Sequence, residues 1–449
     1  MAGKLNNYGF GKTGVVVDKS QPFLSDTDLT KAQNAIRDPL GSDGGLKNRP
    51  PHIKFNSGAA AGTILGGIGV PLLKAVTRTL YIGRAQLSGG LGLPLGWWSS
   101  TAAFASTATV ISSGVPGNPR GYEIADFAGG ALSTLGGSPG IGVMVNGKFY
   151  YGSGGYVVYP TASSAAPTVR IFDGVTDSEW CRIPPNPDVA AGTNAKGIMS
   201  MLVANGTIYL STFDGGTTSA DYRGRVFSLN PNTGQLFPLG GTFTVGHLPY
   251  ALAFAGGRVW VGTHTGDLTM NGKIYSWRVG VSTAWTLDKT GSNGNYCSLA
   301  TCFGNIYAGT MQAAGTFAKV EQRDSLGAWT TPETGTGGTS RDANAYLQLR
   351  VFQGNLYATY WNNDTTPVGT IRKYNGTAWS TAYSGTAATR GPFLMVAEDN
   401  SLLYVGSGGL GLAGTLIRTP DGTTWTDLTA ASIGVSTYTI VPAFASILS

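Results

Sequence analysis

The amino-acid sequence predicts an all-β protein: a β-propeller of seven four-stranded blades, with six as the alternative, and an extended N-terminal arm. Two features of the composition lead to this fold class. Glycine is abundant, at 68 of 449 residues, and only 12% of the residues are charged. Hydrophobic residues reach 42%, enough to build a core. A third feature is a strand–turn–strand pattern that recurs along most of the chain, which is typical of repeat folds.

The repeat consists of a hydrophobic run, a tight turn, an aromatic residue and an end rich in glycine, serine or threonine. Asn-Gly, Gly-Gly or Gly-Asn at the turn supplies the positive φ that a two-residue hairpin needs. Apolar residues at alternate positions predict half-buried strands. The equivalent aromatic residues are 59, 51, 47, 50 and 47 residues apart, close to the roughly 40–50 residues of a four-stranded blade; they are Tyr150, Tyr209, Trp260, Tyr307, Tyr357 and Tyr404.

A tryptophan stands near the end of most repeat units. Neighbouring sheets of a propeller stack face to face, so a large ring on the outer strand fills the gap between them. We therefore expect a packing role for these side chains, which are Trp180, Trp285, Trp329, Trp379 and Trp425.

The two ends of the repeat region predict how the ring closes. The C-terminal segment 436–447 resembles the strand that leads into the third copy, but no repeat follows it. We expect it to pair with an early strand near 78–84, which removes the open edges. The predicted domains are therefore an arm at 1–58 and a propeller at 59–449.

The arm does not share the repeat. Segment 14–19 predicts a strand, and 25–37 begins with helix-capping residues and predicts a short helical turn. Because so polar a segment has little to bury within its own chain, it either folds over the propeller or docks on neighbouring subunits. The candidate contact residues are Leu29, Asn34, Arg37, Leu46, Lys47, Arg49 and Pro50.

Two stretches of the arm, Leu29–Arg37 and Gly44–Pro50, resemble the N-terminal segment of tail hub, nozzle or head-closure proteins of short-tailed bacteriophages. The match departs at Pro51, where that family usually has glycine. The resemblance implies a structural virion protein, assembled in the host cytoplasm into a homo-oligomeric, sixfold ring in the tail. Its implied partners are the portal, the adaptor and other tail proteins, and genomic DNA, which it would retain and conduct without sequence-specific binding.

The sequence contains no recognisable catalytic, cofactor or metal motif, so the expectation is a protein without enzymatic activity or cofactor. Segment 419–425 echoes a turn of propeller glycosidases, but glycoside hydrolysis normally needs paired carboxylates, and acidic residues are sparse. His264 is expected on a solvated loop at one rim. The three cysteines do not have disulfide or zinc spacing. No membrane insertion is expected.

A second hypothesis for function is a receptor-binding or lectin-like tail tip or fibre protein. It depends on two groups of aromatic residues, Trp97–Trp98 and Tyr360–Trp361, being exposed on one rim. A propeller glycosidase is the third and least supported hypothesis.

Overall fold

The structure is a computed structural model, and every regular element it describes is a β-strand. No helix in the described part of the chain is long and apolar enough to cross a membrane. The described residues are 9–11, 14–16, 35–37, 46–48, 78–88, 91–92, 95–101, 109–115, 142–153, 168–172, 177–188, 197–214, 223–244, 246–265, 271–292, 294–312, 316–335, 344–362, 368–385, 393–396, 401–409, 412–427 and 439–448.

Backbone contacts divide the chain into two units, Met1–Val76 and Thr77–Ser449. The first unit contains two small antiparallel hairpins. Strand β1 pairs with β2, and β3 pairs with β4; the strands are Gly9–Gly11, Gly14–Val16, Ala35–Arg37 and Leu46–Asn48. The prediction of a helical turn at 25–37 is wrong for the last three residues of that segment. Residues Ala35–Arg37 are extended because they pair with β4, and the β-branched Ile36 suits a strand.

The second unit begins with a sheet that joins both ends of the unit. Strands β5 to β8 are Arg78–Ser88, Leu91–Gly92, Leu95–Thr101 and Thr109–Val115. The C-terminal strand, Thr439–Leu448, pairs antiparallel with β5, from Thr439 opposite Gln86 to Leu448 opposite Arg78. Strand β7 lies on the other side of β5, and β8 follows β7. We call this the closing sheet.

Six further sheets follow, each built from four consecutive antiparallel strands. Sheet A is Gly142–Val145, Lys148–Ser153, Thr168–Phe172 and Asp177–Arg182 (β9–β12). Sheet B is Gly197–Ala204, Thr207–Phe213, Val226–Leu229 and Leu236–Pro238 (β13–β16). Sheet C is His247–Ala255, Arg258–Thr265, Lys273–Arg278 and Thr286–Thr290 (β17–β20).

Sheet D is Gly294–Cys302, Asn305–Gln312, Lys319–Arg323 and Trp329–Thr334 (β21–β24). Sheet E is Asn344–Phe352, Asn355–Asn362, Val368–Tyr374 and Trp379–Ser384 (β25–β28). Sheet F is Phe393–Val396, Leu403–Gly409, Leu412–Thr419 and Thr426–Asp427 (β29–β32). The C-terminal strand of the closing sheet is then β33. One ladder contact, Met311 opposite Ala345, links sheets D and E.

The first strands of sheets A to F lie side by side in succession, and β33 contacts both β29 and β9. We call these the inner strands. They surround a common axis, as the inner strands of a propeller do. The predicted all-β fold of antiparallel sheets around an axis is confirmed, and the number of blades stays a prediction.

In sheets A to E the hairpin after the inner strand turns through two residues of positive φ, as the repeat predicted. Asn146 and Asn205 lie at φ near 50°, each followed by a glycine. In sheets D and E the register differs from the sequence expectation, because the turns are Phe303-Gly304 and Gln353-Gly354. Asn305 and Asn355 instead begin the next strand.

The glycine-rich end of the second strand has a packing reason. A Cβ added at Gly152 would lie 2.6 Å from the Cβ of Ile198 on the inner strand of the next sheet. A Cβ at Gly262 would lie 2.8 Å from the Cβ of Tyr296, again across a sheet interface. The sheets approach too closely at these points for a side chain on both partners.

The predicted packing role of the tryptophans is seen directly at three interfaces. Trp285 donates its indole N–H to the Leu239 carbonyl of sheet B at 3.0 Å, and Trp425 donates to the Ala382 carbonyl of sheet E at 3.0 Å. Trp329 donates to the Asp288 carboxylate of sheet C at 2.9 Å. An ion pair from Arg323 to Asp288 at 2.9 Å also joins sheets D and C, and one from Arg372 to Glu333 at 2.7 Å joins sheets E and D.

Candidate functional site

Four inner strands contain a β-bulge at the same place. The register slips between Ile198 and Ser200 in β13, and the same slip recurs in β17, β21 and β25. A bulge leaves one residue without a ladder partner and re-aims its side chain. The four extra residues are Met199, Tyr250, Cys297 and Leu347.

The bulge residues meet in one buried apolar cluster together with Phe213, Leu248, Met311 and Ala345. Its members come from sheets B to E, so it fills the space where those four inner strands converge. Within it, burial raises the pKa of Tyr250 well above its usual range, which keeps the phenol neutral at physiological pH.

A cavity begins at this cluster and continues along the same four strands. It has about 50 Å³ of space that a water molecule can occupy, and about 390 Å³ of empty space when the part open to solvent is included. Its walls are Ser200–Leu202, Tyr250–Leu252, Cys297–Leu299 and Leu347–Arg350. A concave, mostly apolar site with a few polar groups is the usual form of a small-molecule site.

The polar groups of the cavity lie at equivalent positions directly after the bulges. These positions hold Ser200, Ala251, Ser298 and Gln348, and all four residues are buried. The Ser298 hydroxyl donates to the Tyr346 carbonyl of the next sheet at 3.1 Å. The Ser200 hydroxyl and the Gln348 amide are the side-chain groups of this wall that can donate hydrogen bonds to a bound carbonyl or carboxylate.

Arg350 is the one cation among the residues that line the cavity, and it breaks the repeat. Arg350 stands opposite the aromatic Tyr357 in its sheet. At the equivalent positions of sheets B, C and D, the residue opposite the aromatic residue is apolar: Leu202, Ala253 and Ala300. Within the described residues the Arg350 guanidinium makes no hydrogen bond or ion pair. Burial lowers the pKa of Arg350, so its charge is poorly solvated.

A second buried arginine, outside the cavity, has a complete set of partners. Arg225 donates Nε to Asp214 Oδ2 at 2.6 Å and its other nitrogens to the Pro184 and Pro185 carbonyls at 2.8 and 3.2 Å. Asp214 also accepts from Asn186 at 2.7 Å. This network attaches the segment between sheets A and B to sheet B.

Of the seven residues that the sequence singled out in the arm, the structure describes three. Arg37 ends β3 opposite Leu46 in β4, and Lys47 lies opposite Ile36. Leu29, Asn34, Arg49 and Pro50 lie outside the described residues. The contact role of all seven stays a prediction. The same holds for the expected self-assembly, the expected contacts with tail proteins and DNA, and the expected location in the virion.

The histidine expected on a solvated loop is in a strand. His264 is fully buried in β18, with its ring 5.5 Å from that of Tyr250. It is buried because β18 runs two residues beyond the glycine-threonine end of the repeat. Among the described residues no group of histidines, cysteines and acids is arranged to hold a metal ion, and Cys181, Cys297 and Cys302 are free thiols.

The aromatic residues of the lectin-like hypothesis do not form a described exposed rim. Tyr360 is buried, with its ring 4.8 Å from that of Tyr346. Trp97 and Trp98 lie within β7, and Trp361 within β26.

Sequence reasoning missed the cavity and Arg350. A signal was present, because the repeat copies can be aligned on their turns. In such an alignment, each copy can be compared at the residue seven places before its equivalent aromatic residue. This residue is leucine or alanine in β13, β17 and β21, and arginine only in β25. The bulges, by contrast, leave no mark in the hydrophobic pattern.

No family model and no curated protein sequence matches the chain. Similar solved structures include a candidate 6-phosphogluconolactonase from Bacteroides uniformis, with a TM-score of 0.51 and 13% identity over 83% of this chain and 99% of that chain. The periplasmic gluconolactonase of Pseudomonas aeruginosa gives 0.43 and 13%, over 61% and 80%. Puromycin hydrolase gives 0.49 and 11%, over 79% and 52%.

The likeness to the candidate 6-phosphogluconolactonase confirms the propeller fold and corrects the functional expectation. The chain was expected to be a phage virion ring subunit without enzymatic activity, with a receptor-binding tip protein as the alternative. Both expectations are wrong: the similar structure that is covered over nearly its whole length is a candidate 6-phosphogluconolactonase, not a phage protein. The resemblance of the arm rested on short polar stretches, which recur without common function.

Proposed function

We propose that the chain is a propeller enzyme that acts on a small molecule held in the cavity between the inner strands. The observation that carries the proposal is the cavity itself. It combines an apolar floor, a wall of buried hydroxyl and amide groups, and one poorly solvated cation. Sites of this form bind small molecules, and the polar groups orient them.

Hydrolysis of a lactone or a related ester is the reaction class that we propose. The fold is shared with a candidate 6-phosphogluconolactonase over nearly the whole length of that protein. At 13% identity that likeness supports the scaffold only, so the reaction class rests on analogy. The chemistry of the wall is compatible, since Ser200 and Gln348 carry hydrogen-bond donors that can serve an ester carbonyl as negative charge develops on its oxygen.

The direct test is a pH-stat assay of the purified full-length chain with δ-gluconolactone, 6-phosphogluconolactone and a p-nitrophenyl ester. We expect acceleration of at least one hydrolysis by about a hundredfold or more over the spontaneous rate, a small part of what enzymes commonly reach. Rates equal to the spontaneous rate for all three substrates would contradict the proposal.

The position of the site is tested with a small thiol-blocking reagent. Cys297 lines the cavity, and Cys302 is similarly buried but lies outside it. Blocking is expected to inhibit the wild type and the Cys302→Ser variant and to leave the rate of Cys297→Ser unaffected by the reagent. Substrate should also slow the labelling of Cys297. Inhibition that persists in Cys297→Ser would place the site elsewhere.

A further inference from the structure

We propose that Arg350 selects the substrate class: the cavity takes a ligand with an oxoanion group, a carboxylate or a phosphate, and Arg350 binds that group. This inference rests on the proposed function, because it names the ligand of the same cavity. It depends on three independent features of Arg350, which are its position, its lack of partners and its departure from the repeat.

The position places a positive charge at the cavity. Arg350 lines it together with Gln348, two residues earlier on the same strand. The guanidinium offers five N–H donors in a planar fork, which matches the two oxygens of a carboxylate or of a phosphate. An amide next to such a fork can add a further donor to the same anion.

The lack of partners argues against a structural role. The other buried or half-buried arginines of sheets B, D and E are each matched with a carboxylate, in the pairs Arg225–Asp214, Arg323–Asp288 and Arg372–Glu333. Arg350 makes no such pair among the described residues. A charge removed from water without a counter-charge lowers stability. A bound anion would supply the missing counter-charge.

The departure from the repeat shows that the fold does not need an arginine here. Leucine and alanine serve at the equivalent positions of β13, β17 and β21, where they pack beside buried aromatic residues. Tyr357 is as deeply buried as those aromatic residues. The scaffold therefore works with small apolar side chains at this position, and the arginine is available for recognition.

The test compares charged and neutral ligands of the same shape by isothermal titration calorimetry on the full-length chain. The probes are benzoate, benzamide and inorganic phosphate. We expect benzoate or phosphate to bind at least about tenfold more tightly than benzamide, the scale of a charge-assisted hydrogen bond. Tighter binding of benzoate assigns a carboxylate, and tighter binding of phosphate assigns a phosphoryl group.

Variants identify the residue responsible. Arg350→Met is expected to weaken anion binding by about ten- to a hundredfold and to leave benzamide unchanged. Arg350→Lys should keep part of the phosphate affinity and lose more of the benzoate affinity, because an ammonium lacks the planar fork. Arg258→Met removes a positive charge outside the cavity wall and is the matched control; its anion affinity should equal that of the wild type.

Two results would overturn the inference: benzamide binding as well as benzoate and phosphate, or Arg350→Met binding anions as tightly as the wild type. Failure of any anion to bind at millimolar concentration would overturn it as well. These outcomes are separate from those of the lactone assay. If the chain hydrolyses neutral lactones but binds no anion, the proposed function stands and this inference is wrong. If the chain binds anions but hydrolyses none of the three substrates, the proposed function is wrong and anion binding by Arg350 stands.

Discussion

Arg225, which directly precedes β15, is buried, and Arg350, which lies within β25 of the same ring of sheets, is half-buried. Arg225 is surrounded by acceptors, namely the Asp214 carboxylate and two proline carbonyls. Arg350 has apolar strand neighbours, Leu349 and Val351, and within the described residues no acceptor. The two residues have the same chemistry in opposite environments.

The difference between the two environments distinguishes an arginine that stabilises the fold from an arginine that is available to bind a ligand. Every donor direction of Arg225 that the structure describes is used inside the fold, so the residue is explained by folding alone. Arg350 has no such explanation, because none of the described residues accepts a hydrogen bond from it or pairs with its charge. The same contrast decides the sign of the mutational effects at the two positions.

The largest expected effect is at Arg225. Arg225→Met leaves the carboxylate of Asp214, which is 0% exposed, without its cation. We expect the free energy of unfolding to fall by about 3–5 kcal/mol, the usual cost of breaking a buried pair. Urea denaturation followed by tryptophan fluorescence measures it.

The control is the double variant Arg225→Met with Asp214→Leu. Removing both charges avoids the unpaired carboxylate, so the double variant should be more stable than Arg225→Met alone. A single variant within 1 kcal/mol of the wild type, on the order of a surface pair, would show that the network contributes nothing and would remove the contrast with Arg350.

The sequence predicted the repeat well because the repeat is local. The turns at Asn146 and Asn205 could be identified because asparagine followed by glycine adopts positive φ at little cost. Phe303 and Gln353 were harder, since neither residue favours that conformation and only the following glycine marks the turn. Their place is fixed by the pairing of the strands, which is a property of the whole hairpin.

The site was not predictable to the same extent, because it depends on residues that are distant in sequence. The bulge residues Met199, Tyr250, Cys297 and Leu347 share no residue type, and they meet only once four sheets surround the axis. Similarly, nothing in the sequence pairs Arg225 with the carbonyls of Pro184 and Pro185, some 40 residues earlier. The functional prediction drawn from the arm was wrong, because the motif on which it depended was short.

The second prediction transfers the unpaired charge from sheet E to sheet B. Leu202 occupies in β13 the place of Arg350 in β25. Leu202→Arg should lower the free energy of unfolding by about 2–3 kcal/mol, because it adds bulk and an unpaired cation beside the aromatic cluster of sheets B and C. Leu202→Met, of similar volume, should cost less than about 1.5 kcal/mol. Equal effects of the two variants would mean that charge at this position is harmless.

The third prediction has the opposite sign. Arg350→Met keeps much of the volume of the side chain and removes the poorly solvated charge. We expect the free energy of unfolding to rise by about 1 kcal/mol in the absence of ligand. Differential scanning calorimetry in anion-free buffer measures the change. A loss of about 2 kcal/mol or more would make Arg350 a structural residue like Arg225 and would end the contrast.

The smallest effect is expected for an arginine in water, and it sets the scale for the others. Arg182 pairs with Glu179 at 3.2 Å, with the two side chains 65% and 42% exposed. Solvent screens this pair, and holding two long side chains in place opposes it, so Arg182→Gln should change the free energy of unfolding by no more than about 0.5 kcal/mol. The same denaturation experiment at low and high salt should give the same small value. If Arg182→Gln destabilised the chain as strongly as Arg225→Met, burial would not be what separates these arginines, and the argument that makes Arg350 a ligand-binding residue would lose its basis.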